Sequence, residues 1–238
     1  MRNFFKNQIK IILYFFITIF FLFCCSKKEL HNSVETKNKK DSVVSFSLTE
    51  NQKKVLAGAK KCLEAGFKYD NQMAYHVLKY RDGELTGAKV YPNGDLDPSL
   101  GVCTDVTIRA LRWGGVCDLQ EVIHEDIISN FSDYPMSRWN AKKPDANIDH
   151  RRVPNQLVWF KKNWQEIIDG VYQPGDVVIW DMDGDSWGDH MGIVSDVPLS
   201  FGEGWGGAVI HNFPSPGYVA EEDVLNRWKI IGVFRVRE

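Results

Sequence analysis

The chain has little cysteine, no surplus of charge of either sign, and no apolar run long enough to span a bilayer comfortably. Its 238 residues hold five cysteines, of which Cys24 and Cys25 lie in the N-terminal 25 residues. That leaves Cys62, Cys103 and Cys117. An odd number this small excludes the disulfide framework of a stapled secreted scaffold and leaves at least one thiol unpaired. Cys62 and Cys117 fall in helical patterns, where burial as small hydrophobes is the expectation over a Cys62–Cys117 bridge. No CxxC or HxxxH spacing supports a zinc site. Lys and Arg total 29 against 31 Asp and Glu, so the chain lacks the basic field that nucleic-acid binding uses, and no nucleic acid is expected as a partner. No internal repeat or low-complexity tract divides the chain further.

Against these absences stands an N-terminus with the features of an export signal. Arg2, Lys6 and Lys10 form a positive region, Ile11 to Phe23 is uncharged and apolar, and LFCCSKK follows. Residues 1–25 read as a lipoprotein-type signal peptide, with Leu22 and Cys24 placed before Cys25 as in a loose lipobox, which makes Cys25 the lipidation candidate. An uncleaved membrane anchor is the alternative. Residues 26–48, rich in Lys, Ser, Asn and Glu, bury too little to order themselves and read as a flexible linker. The folded domain is expected over 49–238, where a composition 44% hydrophobic and 25% charged supports one well-buried core.

Periodicity places the elements. Thr49 with Gln52 opens a helix whose stripe Val55, Ala59, Leu63 is closed by Gly66. A second helix is expected from Thr104 to Trp113, ended by Gly114-Gly115, a third from about Leu119 to Phe131, and a fourth from Asn155 to Trp164, capped by Asn155. The pattern then changes to short β-branched runs at 176–180, 190–195, 208–213 and 229–236, separated by Gly, Pro and Asp turns. Helices first and strands afterwards is an α+β order, with helices packed on a C-terminal antiparallel sheet or half-barrel.

One thiol stands out by position. Cys103 in GVCTDV follows a loop at the start of a helix, where unpaired amides and the helix dipole favour a thiolate. A nucleophile needs a base and a group that orients it. His31 lies in the linker, and His76 and His124 lie in polar helical stretches, contexts that favour solvated roles. His190 opens the strand HMGIVSD directly after the acidic turn DMDGDSWGD, and His211 sits within AVIHNF on the face of Val209 and Phe213. The same alternation keeps Asn212 off that face. The acidic turn departs from an EF-hand at Ser186 and Gly192, so a solvated hairpin is expected there rather than a calcium site. Arg151 and Arg152 are forked groups suited to a carboxylate, with Asp145 and Asp149 as competing partners nearby. Tyr91 is a candidate cleft aromatic, and Asp105 is a candidate substrate contact or helix cap.

Taken in order, GVCTDV, PGDVVIW, HMGIVSD and VIHN resemble the papain-like cell-wall peptidases of the NlpC type. With NIDHRRVPN added, the chain from about Lys60 to Glu238 is more similar still to a bacterial family catalogued as domain of unknown function 1287. The resemblance implies a papain-like fold with Cys103 as nucleophile, His190 as general base and acid, and His211 orienting His190. It departs from simpler NlpC-type domains in the long insertion between Cys103 and His190. It implies a cysteine amidase or endopeptidase acting on peptidoglycan-type peptides, with Tyr91, Asp105, Arg151 and Arg152 as substrate-binding candidates. No cofactor and no metal are expected, and a lipid anchor would hold the domain in the bacterial envelope outside the cytoplasm. The alternative is an envelope lipoprotein of the same fold that binds peptides or a partner without turnover.

Overall fold

A computed structural model describes residues 46–72, 77–199 and 206–238. The expected signal peptide with Cys25, all but the end of the expected linker, His31 and His76 lie outside the described residues. Among the described residues no helix is long and apolar enough to cross a membrane.

Helix α1, Glu50–Ala65, is set at both ends by local chemistry. Thr49 Oγ1 accepts from the Gln52 amide while the Gln52 side chain accepts from the Thr49 amide, and Gly66 closes the helix in the left-handed conformation at φ 57°. It crosses helix α2, Cys103–Trp113, at Gly58, where an added Cβ would lie 1.9 Å from the Ala110 carbonyl oxygen. Only hydrogen fits between the two backbones there.

Short strands β1 (Lys68–Tyr69), β2 (Tyr80–Arg81), β3 (Glu84–Leu85) and β4 (Leu100–Gly101) fill the connection between these helices. β1 and β4 pair in parallel, with Tyr69 opposite Gly101, and lead the chain directly into Cys103. Helix α3, Leu119–Ser129, is capped by Asp118 and ends earlier than the apolar pattern suggested, because Phe131–Asp133 tighten into a 3₁₀ turn. Helix α4 spans Val153–Asn163. It starts before Asn155, since Pro154 has the φ that a first turn needs, and Asn155 donates 2.9 Å to the Asp149 carbonyl instead of capping.

The remaining strands, β5 (Gln165–Glu166), β6 (Val177–Asp181), β7 (His190–Leu199), β8 (Gly206–Asn212), β9 (Val219–Glu222) and β10 (Lys229–Arg235), form one antiparallel sheet in the order β5-β10-β6-β7-β8-β9. The molecule is therefore α+β with a six-stranded antiparallel sheet. Strand β9, with the sequence VAEE, carries too few β-branched residues to announce itself and is defined by its pairing to β8.

Period-two alternation gives the sheet two buried faces. Val177, Ile179, Met191, Ile193 and Ile210 join Cys103, Val106, Ala59 and Val55 in the core beneath the helices. Val178, Trp180, Val194, Val209 and Val233 form a second core with Val224 and Leu225 on the other face. The first strand residues of β7 are thus covered from both sides, which leaves His190 only 2% exposed.

Candidate active site

Four elements converge on the start of β7. Register places Trp180 directly opposite His190, so both rings leave the sheet on the face of the second core. They stack at 5.4 Å with 16° between planes. Phe213 and Trp228 meet the His190 ring edge-on at 5.0 and 5.4 Å, completing an aromatic jacket. His211 leaves β8 on the same face, and His190 Nε2 lies 2.8 Å from His211 Nδ1. Asn212 points the other way, as alternation requires, and its side-chain amide donates 3.3 Å to the carbonyls of Phe67 and Gly101. It ties β8 to the residues that lead into Cys103.

The sulfur of Cys103 reaches β7 at the backbone. The Met191 amide is directed at it, as are the amides of Thr104 and Cys103 itself. The Met191 nitrogen is bonded to the His190 carbonyl carbon, so the sulfur lies within roughly 6 Å of His190 Cα. Cys103 thus meets β7 at the peptide that follows His190, from the helix-covered face of the sheet, while the His190 and His211 rings lie on the other face. Sulfur and imidazole approach that peptide from its two sides, and no hydrogen bond joins them in this conformation. With Nε2 directed at His211, Nδ1 is the ring nitrogen not used in that contact.

Burial dominates the electrostatics. Enclosure of the sulfur pushes the Cys103 thiol up to about 12, and nearby Asp105 adds to the effect, against the three amides that favour the thiolate. The expectation that the helix N-terminus alone would favour the thiolate is corrected here: desolvation outweighs it. Burial also drives His190 down to about 3, with His211 and Arg227 adding repulsion. Both groups rest neutral at pH 7. In the substrate-free chain, iodoacetamide at neutral pH should therefore modify Cys103 at least about a hundredfold more slowly than a free thiol, since three pKa units remove most of the thiolate. Peptide mass spectrometry of the alkylated chain checks this, and rapid labelling of Cys103 at pH 7 would contradict it. Cys62 and Cys117 are likewise unbridged, and burial pushes both thiols up.

The four substrate-binding candidates are placed elsewhere or otherwise engaged. Asp105 and Arg151 hold one another in a buried two-pronged ion pair, with both contacts at 3.0 Å. Asp105 also accepts from the Val102 amide at 2.8 Å, the capping role open to it. Arg152 bonds Asp149 at 3.1 Å, with its guanidinium 4.2 Å from the centre of the Trp139 ring. Burial raises Asp149 to about 6 in spite of that partner. Tyr91 packs edge-on against His124 of α3 at 5.2 Å, among Glu125, Glu121 and Asp118. Arg138, Trp139, Arg151, Arg152, Val153 and Asp189 line a cleft of about 280 Å³ that also includes Gly188, two residues before His190.

Two residues near Cys103 and the histidine pair escaped the sequence reading. Tyr69, opposite Gly101 across β1 and β4, has its hydroxyl raised by burial and, to a smaller degree, by a charge on nearby Cys103. Glu222 lies 3.1 Å from His211 Nε2 through Oε2. Neither occurs in a motif that announces chemistry, and both are recruited by strand pairing.

In the acidic turn, Asp181, Asp183, Asp185 and Asp189 each bring one oxygen within 4.8 Å of the others. Asp181 is buried rather than solvated, accepting from the amides of Gly184 and Ser186 and pairing with Lys229, so its oxygens already serve the turn. His190 and His211 direct nitrogens at one another rather than at a common point with Cys103, which does not fit a shared zinc.

Comparison with known families matches residues 57–236 to the model described as "Domain of unknown function (DUF1287)". The chain is 44% identical over 149 residues to "Uncharacterized protein YijF" of Escherichia coli (strain K12), a match that covers 61% of this chain and 68% of that one.

Proposed function

The chain belongs to the DUF1287 family, and from that premise we propose that it is a cysteine-dependent amidase or endopeptidase of papain-like, NlpC-type fold. The observation that carries this reading is the Cys103 sulfur at the peptide that follows His190, whose ring is hydrogen-bonded to His211. A purely structural core has little use for a thiol at a helix start beside two hydrogen-bonded imidazoles.

In the proposed reaction, substrate enters and the Cys103 thiol gives its proton to His190 Nδ1 as sulfur attacks an amide carbonyl carbon. The tetrahedral oxyanion is held by first-turn amides of α2, which lack helical partners. The C–N bond breaks as His190 returns the proton to the leaving amine, and a thioester remains. Water then attacks the thioester, gives a proton to His190 and releases the carboxylic acid, and the proton goes back to sulfur. The neutral resting pair requires that substrate binding close the gap between sulfur and imidazole, because proton transfer between them is uphill in the empty site.

Cell-envelope peptides of the peptidoglycan type are the proposed substrates, and a lipid anchor at Cys25 would keep the enzyme at the envelope, outside the cytoplasm. Incubation of the full chain with purified peptidoglycan fragments tests the reading, with Cys103→Ala as control. New amine and carboxyl termini from the wild type alone, and an acyl adduct whose mass maps to Cys103, are the expected results. Identical products from both chains, or binding without cleavage, would overturn it in favour of a non-catalytic envelope-binding lipoprotein.

A further inference from the structure

Resting on the reading of Cys103 and His190 as nucleophile and base, we infer that Glu222 is a positioning residue that fixes which nitrogen of each imidazole carries hydrogen. Glu222 stands on edge strand β9, and its register partner is Val209, two residues before His211 on the same face of β8. That diagonal placement brings Glu222 Oε2 to His211 Nε2 at 3.1 Å.

An ionised carboxylate has only lone pairs to offer, so the hydrogen between them belongs to His211 Nε2. A neutral imidazole carries one N–H, hence His211 Nδ1 is a bare acceptor. The 2.8 Å contact with His190 then takes its hydrogen from His190 Nε2, which leaves His190 Nδ1 with a free lone pair. In the proposed reaction that nitrogen takes the thiol proton, since Nε2 is engaged with His211. Reverse the hydrogens and His190 Nδ1 is already protonated, unable to act as base. One carboxylate at the sheet edge thus selects the working tautomer of a ring two hydrogen bonds away. It also offsets the positive charge that forms on His190 during the reaction, against Arg227, which acts on both imidazoles in the opposite sense.

The groups that bear on this relay are Glu222 on β9, Arg227 in the turn before β10, His211 on β8 and Cys103 on α2. Trp180, Phe213 and Trp228 supply an uncharged wall around His190.

Histidine-labelled full chain in detergent micelles, observed by nitrogen NMR of the imidazoles, reads the tautomers without substrate. In the wild type both His190 and His211 should be protonated at Nε2. Glu222→Ala should mix the His211 tautomers and lower kcat about a hundredfold with little change in KM, less than the roughly ten-thousandfold lost where the carboxylate contacts the base directly. Glu222→Gln keeps an accepting oxygen and should retain the tautomers with an intermediate kcat. Protonation of His211 at Nδ1 in the wild type, or unaltered tautomers and kcat in Glu222→Ala, would overturn the inference. Absence of turnover by the wild-type chain would overturn the enzymatic reading alone, because the nitrogen spectra do not depend on it.

Discussion

Replacing Asp105 by alanine is expected to destabilise the folded chain by about 3–5 kcal/mol, the cost of breaking a buried ion pair from one side. The two side chains are 3% and 2% exposed, so the Arg151 charge would stay buried without the carboxylate that now neutralises it. The Val102 amide would lose its acceptor at the same time. Urea unfolding followed by fluorescence checks the size of the effect. A double variant, Asp105→Leu with Arg151→Met, removes both charges and should recover most of the loss.

The same pair carries an acid dependence with a definite sign. Burial by itself would raise the Asp105 carboxyl, but the Arg151 guanidinium, Arg109 and the Val102 amide outweigh it and hold the group below its ordinary value. A group depressed in the folded state contributes stability above its unfolded value of about 3.9, and that stability is lost as pH falls through the lower folded value. Stability of Asp105→Ala should therefore depend less on pH below about 4 than that of the wild type. A stability loss under about 1 kcal/mol would mean that the site relaxes or hydrates on losing the carboxylate.

Trp180→Ala should also cost about 3–5 kcal/mol, as expected for removing a fully buried indole. Trp180 is among the largest side chains of the second core, and its Nε1–H donates 3.0 Å to the Leu225 carbonyl. The consequence for His190 is specific: the ring loses its stacking partner and the wall that keeps water from its bond with His211. Trp180→Phe should keep a stacked ring and cost much less, about 1–2 kcal/mol for the lost hydrogen bond and volume. Turnover should follow the same order, with the alanine variant far below the phenylalanine variant. Equal activity in both, at temperatures where both remain folded, would show that the jacket serves the core and not the imidazole.

Much of the architecture was legible because it depends on local chemistry. Thr49 and Gln52 cap one end of α1 and Gly66 ends the other because those side chains satisfy orphan amides or permit a positive φ wherever they occur. The strands at 177–181 and 229–235 follow from β-branched runs between turn residues. Their alternation also placed His211 on one face of β8 and Asn212 on the other. Strand β9 was not legible. Its four residues have no hydrophobic signature, and an edge strand is defined by the neighbour that supplies its hydrogen bonds.

Partners are a different matter from positions. Arg151, Arg152, Asp105 and Asp149 are near one another in sequence only in part, and their chemistry permits either a ligand carboxylate or each other. Folding brought Arg151 across to the first turn of α2, 46 residues away in sequence, where Asp105 meets it. Nothing in a string of residue types distinguishes that pairing from a vacant guanidinium.

By itself the sequence determined the four helices and the strands β6, β7, β8 and β10, but not the short strands β1–β5 or β9, and it set the face of His211 on its strand and a thiol at a helix start with two histidines on strands. These follow from backbone periods and end-group hydrogen bonding, which act over a few residues. Tertiary structure alone decided that the Cys103 sulfur lies against the peptide after His190, that Asp105 and Arg151 neutralise one another, and that Glu222 reaches His211. It decided the protonation states as well, because the dielectric around a group is made by whatever packs against it, and that packing comes from distant parts of the chain.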